Sequence, residues 1–154
     1  MQRPIIVHHN LGIGAWIGTL AVAFLLTAAS GSATGEDHTA SLVNCDIQKG
    51  FCEKMVTDTK VSLEILPRPV QAMRDLTFRV TVADPGRLSA SPFIDLNMPA
   101  MDMGANRVLL KDLGEGVFEG QGVIVRCRSG RKTWRARITL PDLGRADFTF
   151  DVVY

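Results

Sequence analysis

Three methionines, Met98, Met101 and Met103, fall within the seven-residue segment Met98-Pro-Ala-Met-Asp-Met-Gly104. A thioether is a soft, uncharged ligand, and clustered thioethers suit Cu(I) better than any hard cation. Thioethers do not pair into disulfides, so such a site persists where thiols oxidise. The local pattern favours convergence. If Ile94 and Leu96 face inward on a strand, Met98 continues that phase, and Pro99 then ends regular pairing because it has no N–H for the ladder. Met101 and Met103 are two apart, so an extended segment puts both sulfurs on one side. Gly104 allows a sharp turn afterwards. A bend at Pro99-Ala100 would bring Met98 back to the other two and complete a three-sulfur Cu(I) site. Methionine is also a flexible filler of cores and contact patches. The competing reading therefore buries Met98 and leaves Met101 and Met103 on a loop.

Cysteine is the other soft donor. Cys45 and Cys52 bracket Asp46-Ile-Gln-Lys-Gly-Phe51. In an oxidising compartment such a pair is expected as a disulfide, and closing so short a loop stabilises by about 2.5 kcal/mol on the loop-entropy account. Cys127 is in phase with Val123 and Val125, which reads as a buried apolar thiol; the alternative is a thiolate site built from all three cysteines. The six-residue gap between Cys45 and Cys52 exceeds the short spacings of structural zinc sites. His38 reads as a solvated linker residue, or as an imidazole completing a copper site.

For catalysis the chain offers no nucleophile elbow, Walker loop, His-Glu-x-x-His or dinucleotide fingerprint. The carboxylate pairs have no context that would separate their pKa values. The expectation is a protein that is not an enzyme.

These groups need a scaffold. Residues 1–33 read as a signal peptide or a single-pass membrane anchor. Arg3 precedes an uncharged run from Leu11 to Ala29, small residues follow, and then come Glu36 and Asp37. As a helix that run spans about 28 Å, near the thickness of a bilayer core. Both outcomes put the remainder outside the cytoplasm, in or facing the periplasm. Residues 34–58 read as a linker carrying Cys45 and Cys52, and residues 59–154 as one domain. The formal net charge is +1, so no global field draws the chain to nucleic acid.

Alternation dominates that domain. Val61, Leu63 and Ile65 form one apolar face. Leu76, Phe78, Val80 and Val82 form another, as do Trp134, Ala136, Ile138 and Leu140. Phe148, Phe150, Val152 and Tyr154 form a last one, read as paired within a sheet to its end. A period of two means one buried and one wet face. Asp84-Pro85-Gly86 reads as a turn, and Gly114-Glu115-Gly116 and Ser129-Gly130 as hairpin connections. About seven short strands at regular spacing argue for an immunoglobulin-like antiparallel β-sandwich. A basic stretch, Arg126, Arg128, Arg131, Lys132, Arg135 and Arg137, reads as a solvated hairpin; its functional alternative is docking to anionic headgroups or an acidic partner.

The order of apolar leader, β-domain and Asp95-Leu-Asn-Met-Pro-Ala-Met-Asp-Met-Gly104 resembles the YtkA-like and FixH-like domains of bacterial envelopes. The resemblance spans about Val61 to Tyr154 and rests on the "Met-Pro-x-Met-x-Met" segment. It implies a small immunoglobulin-like module, in some cases tied to copper handling and copper-oxidase assembly, with Met98, Met101 and Met103 as ligands. Such modules often carry a histidine near the methionines. None stands in this segment, which shifts the expectation from Cu(II) to Cu(I). The function expected is a periplasm-facing Cu(I)-binding accessory module serving an envelope copper enzyme or transporter. The rival is a metal-free structural or interaction subunit of an envelope complex.

Overall fold

The period-two runs become strands whose inner residues are sealed from water. A computed structural model describes residues 42–101 and 103–154. The strands are β1 (Cys52–Val56), β2 (Thr59–Leu66), β3 (Asp75–Val82), β4 (Phe93–Asn97), β5 (Arg107–Leu109), β6 (Lys111–Gly114), β7 (Val117–Val123), β8 (Thr133–Leu140) and β9 (Gly144–Asp151). One sheet has the order β1-β2-β3-β7-β6 and the other β5-β4-β8-β9. Every ladder between these strands is antiparallel. The described part is thus all-β, two antiparallel sheets around one core, as a β-sandwich requires. The expected signal or anchor, residues 1–33, and His38 lie outside the described residues.

The core is the set of apolar faces read from the alternation. Val61, Leu63, Ile65, Phe78 and Val80 of one sheet and Ile94, Trp134, Ala136, Ile138, Phe148 and Phe150 of the other are fully buried. Burying such a Val, Leu, Ile or Phe side chain contributes about 1.5–3 kcal/mol each.

Nine strands form rather than about seven. β5 and β6 are short pieces in a segment of weak alternation. β1 lies in the segment read as linker, and it pairs with β2 from Cys52↔Leu63 to Val56↔Thr59. The rest of that segment is bound in too. A disulfide joins Cys45 to Cys52, and the Asn44 and Cys45 amides donate to the Thr149 carbonyl on β9 at 2.9 and 3.1 Å. The Asn44 side-chain oxygen accepts from the Thr149 amide at 3.0 Å, and Gln48 donates to the Asp151 carbonyl at 3.0 Å. The crosslinked loop therefore covers the open edge of β9, the kind of edge that otherwise recruits another strand.

Two turns behave as their residues demand. Gly114-Glu115-Gly116 closes β6 onto β7 with positive φ at Glu115 (53°) and Gly116 (76°), the type I′ geometry of tight hairpins. Pro141 to Gly144 closes β8 onto β9, with the Leu143 amide donating to the Leu140 carbonyl at 3.2 Å. Ser129-Gly130 does not close a hairpin. It lies in the crossover 124–132, which carries the chain from β7 in one sheet to β8 in the other. Turn residues encode a local change of direction; which strands then pair depends on the whole sheet.

Candidate metal centre

At one end of the two sheets, β4 and β7 finish and β5 and β8 begin, so the methionine loop and the 124–132 crossover become neighbours. The methionine loop starts with a tight turn. The Met101 amide donates to the Met98 carbonyl at 3.1 Å, and Met98 and Met101 face each other as an isolated antiparallel bridge. Pro99 takes the first central position and Ala100 the second, with φ of 59°, the pattern of a type II turn. The bend expected at Pro99-Ala100 is thus present in the backbone.

The side chains divide. Met98 keeps the inward phase of Ile94 and Leu96 and is 1 % exposed, inside the core. Met101 and Met103 are half-buried and pack against the core's edge. Both line an open cavity of about 420 Å³, whose wall is completed by Arg126, Cys127, Arg128 and Ser129. Met98 is not among the lining residues. The cavity therefore brings together two of the three expected thioethers and adds a thiol from another loop.

Cys127 is 4 % exposed, as a buried thiol should be. The phase used to reach that expectation does not hold. β7 ends at Val123 and Val125 is 38 % exposed, so strand alternation cannot place Cys127. Tertiary hydrogen bonds place it instead. Its amide donates to the Tyr154 hydroxyl at 3.1 Å, and that hydroxyl donates to the Arg131 carbonyl. The Gly130 amide donates to the Cys127 carbonyl at 3.0 Å, and Gly130 has φ of 76°, so Cys127-Arg-Ser-Gly130 is a tight turn with glycine where the left-handed conformation is needed. Arg131 then reaches across to donate to the Pro99 carbonyl at 3.3 Å. Asn106 donates to the Val123 carbonyl at 3.3 Å. These two bonds tie the methionine loop to the crossover and to the end of β7.

Cys127 Sγ lies 3.0 Å from Ser129 Oγ. Hydrogen bonds from the Ser129 hydroxyl and then from its amide hold the thiol below its ordinary pKa, against the opposite push of burial, with Arg131 adding a smaller lowering. Arg126 stacks on the Tyr154 ring at 5.2 Å, while Arg126 and Arg128 both form cavity wall.

The disulfide commits Cys45 and Cys52 and leaves Cys127 outside it, so a thiolate site of all three cysteines does not form. Among the described residues, no three of His, Cys, Asp or Glu gather as metal ligands. The sulfur-bearing residues lining this cavity are two methionines and one cysteine. Arg135 and Arg137, part of the basic stretch read as a solvated hairpin, are partly buried on β8. Arg137 pairs with Asp147 at 2.8 Å and Arg135 donates to Asn97 at 2.8 Å, so both brace the sheet rather than line the cavity. The one available signal for Cys127 was its being the odd cysteine left by the Cys45–Cys52 pair. No protein-family model, curated protein or solved structure matches this chain.

Proposed function

We propose that this chain is a Cu(I)-binding accessory module, an immunoglobulin-like domain of the bacterial envelope that faces the periplasm and passes the ion to a copper enzyme or transporter. The carrying observation is that Met101 and Met103, two soft uncharged donors, line one cavity. The Cys45–Cys52 disulfide supports an oxidising compartment, and the resemblance of the Met98–Gly104 segment to YtkA-like and FixH-like domains supports the copper role. Labile thioethers on a loop favour release by ligand exchange, so the role is carriage rather than turnover. Met98 is the weakest member of the expected trio, since it is committed to the core.

The test is a competition titration with a Cu(I) chelator on protein purified from cells expressing the full-length chain. The wild type should take one Cu(I), and Met101→Leu/Met103→Leu should lose it with an unchanged far-ultraviolet circular dichroism spectrum. Equal affinity in the two proteins refutes the reading.

A metal-free interaction subunit is the second reading, and a different observation favours it. Leu109 on β5 and Leu113 on β6 are 74 % and 60 % exposed and line a shared cavity with Lys111 and Glu119. A copurified protein partner that carries no copper, lost on Leu109→Ser/Leu113→Ser, would select this reading.

A further inference from the structure

The methionine cavity has a charge problem if thioethers alone hold the ion. Two or three thioethers contribute no charge, so bound Cu(I) keeps its full +1. Arg126 and Arg128 already line the same wall. A cation held beside two guanidinium groups is repelled, and the exposure of both arginines weakens that repulsion without removing it. One anionic donor resolves this, and among the described residues that line the wall Cys127 is the candidate.

We infer that Cys127 is the third ligand, so that Cu(I) binds to Met101, Met103 and the Cys127 thiolate. This rests on the copper reading above and names its ligand set. The step is ligand exchange with no redox change. The S–H bond of Cys127 breaks, a Cu–S bond forms, and the proton leaves to solvent; the metal centre becomes neutral, and the arginines no longer oppose it.

Three features of the structure converge on this set. The sulfurs come from two loops that hydrogen bonds hold together, Arg131 to the Pro99 carbonyl and Asn106 to the Val123 carbonyl. The disulfide leaves Cys127 as the sole unpaired cysteine. The local turn holds Cys127 against Ser129, with the Cys127 amide fixed by Tyr154. Met98, buried in phase with Ile94 and Leu96, is not required for this set. A third thioether is not needed once a thiolate completes a trigonal sulfur site, and thiolate is the stronger soft donor for this ion.

The experiment compares the wild type, Cys127→Ser, and Met101→Leu/Met103→Leu, each expressed from the full-length chain. Cu(I) affinity is measured by chelator competition, and thiolate ligation by the ultraviolet sulfur-to-copper charge-transfer band. Losing an outer-shell partner of a metal ligand typically costs about 10–100-fold in affinity, so losing the ligand itself should cost about 100-fold or more. Cys127→Ser should show that loss and no charge-transfer band. If Cys127→Ser binds within about threefold of wild type while the methionine variant fails, the thiolate assignment is overturned and the copper reading stands. If the wild type binds no Cu(I), both fall. Should Cys127→Ser not fold, the wild type alone decides: Cu(I) that protects Cys127 from alkylation supports the assignment, and unprotected alkylation in the loaded protein overturns it.

Discussion

Tyr154→Phe is the sharpest perturbation of the loop that carries Cys127, because it removes one oxygen and leaves the ring. That oxygen accepts from the Cys127 amide at 3.1 Å and donates to the Arg131 carbonyl. The two partners respond differently. Cys127 is 4 % exposed, so its amide loses its partner with little access to water, a cost of about 1–3 kcal/mol. The Arg131 carbonyl is at the surface and can bond water instead, so its loss is near the net worth of an ordinary hydrogen bond, about 0.5 kcal/mol. The phenyl ring should keep its place under Arg126, so lost packing adds little. The expected destabilisation is about 2 kcal/mol. At roughly 4 °C per kcal/mol for a domain of this size, Tm falls by about 8 °C. A urea titration should show a lower midpoint with an unchanged slope, read by far-ultraviolet circular dichroism and by the emission of Trp134, which is fully buried. Hydrogen exchange at the Cys127 amide should accelerate more than the global loss explains. A Tyr154→Phe protein within about 0.3 kcal/mol of wild type, with the Cys127 amide still protected, would refute the account of how this loop is held.

Three further outcomes follow from separate parts of the molecule. The Asp147 carboxyl is held below its ordinary value of 3.8 by hydrogen bonds from Arg137 first, with attraction to Arg137, Arg135 and Lys54 adding to it. A depressed folded pKa stabilises above the ordinary carboxylate range and is lost as pH falls through the folded value, so urea titrations below about pH 4 should show Asp147→Asn losing stability less steeply than wild type. A Cβ at Gly120 would meet the Leu109 carbonyl oxygen at 2.3 Å and Val108 Cγ1 at 2.9 Å, whereas one at Gly50 meets nothing within 4 Å; Gly120→Ala should destabilise by about 1–3 kcal/mol or more while Gly50→Ala stays near neutral in the same denaturation assay. Replacing both Cys45 and Cys52 by serine should cost about 2.5 kcal/mol, and a wild-type Tm unmoved by reductant would contradict this.

The apolar faces were legible because a strand's side chains alternate whatever the strand pairs with. Val61, Leu63 and Ile65, or Trp134, Ala136 and Ile138, needed no knowledge of the other sheet to be recognised as core. The disulfide was legible because Cys45 and Cys52 are close along the chain. The short strands β5 and β6 were not: their burial patterns, one buried residue in three and none in four, carry no period to detect. β1 was hidden for a related reason. Its pattern buries Val56 outright and leaves Met55 exposed, so its membership of the sheet rests on pairing with β2.

The candidate site divides along the same line. The order of residues alone set the Pro99-Ala100 bend, the inward phase of Met98 and the common side of Met101 and Met103, since each follows from backbone chemistry over a few positions. Folding in three dimensions chose which of these residues share a cavity. It drew Met98 into the core in phase with Leu96, and it carried Cys127, twenty-four residues beyond Met103, onto the wall beside the two remaining thioethers. That choice depends on β7 and β8 belonging to different sheets, so that their connection must pass over the end where β4 stops. Periodicity reports the face a residue occupies on its own strand; only the packing of two sheets determines which loops share a cavity.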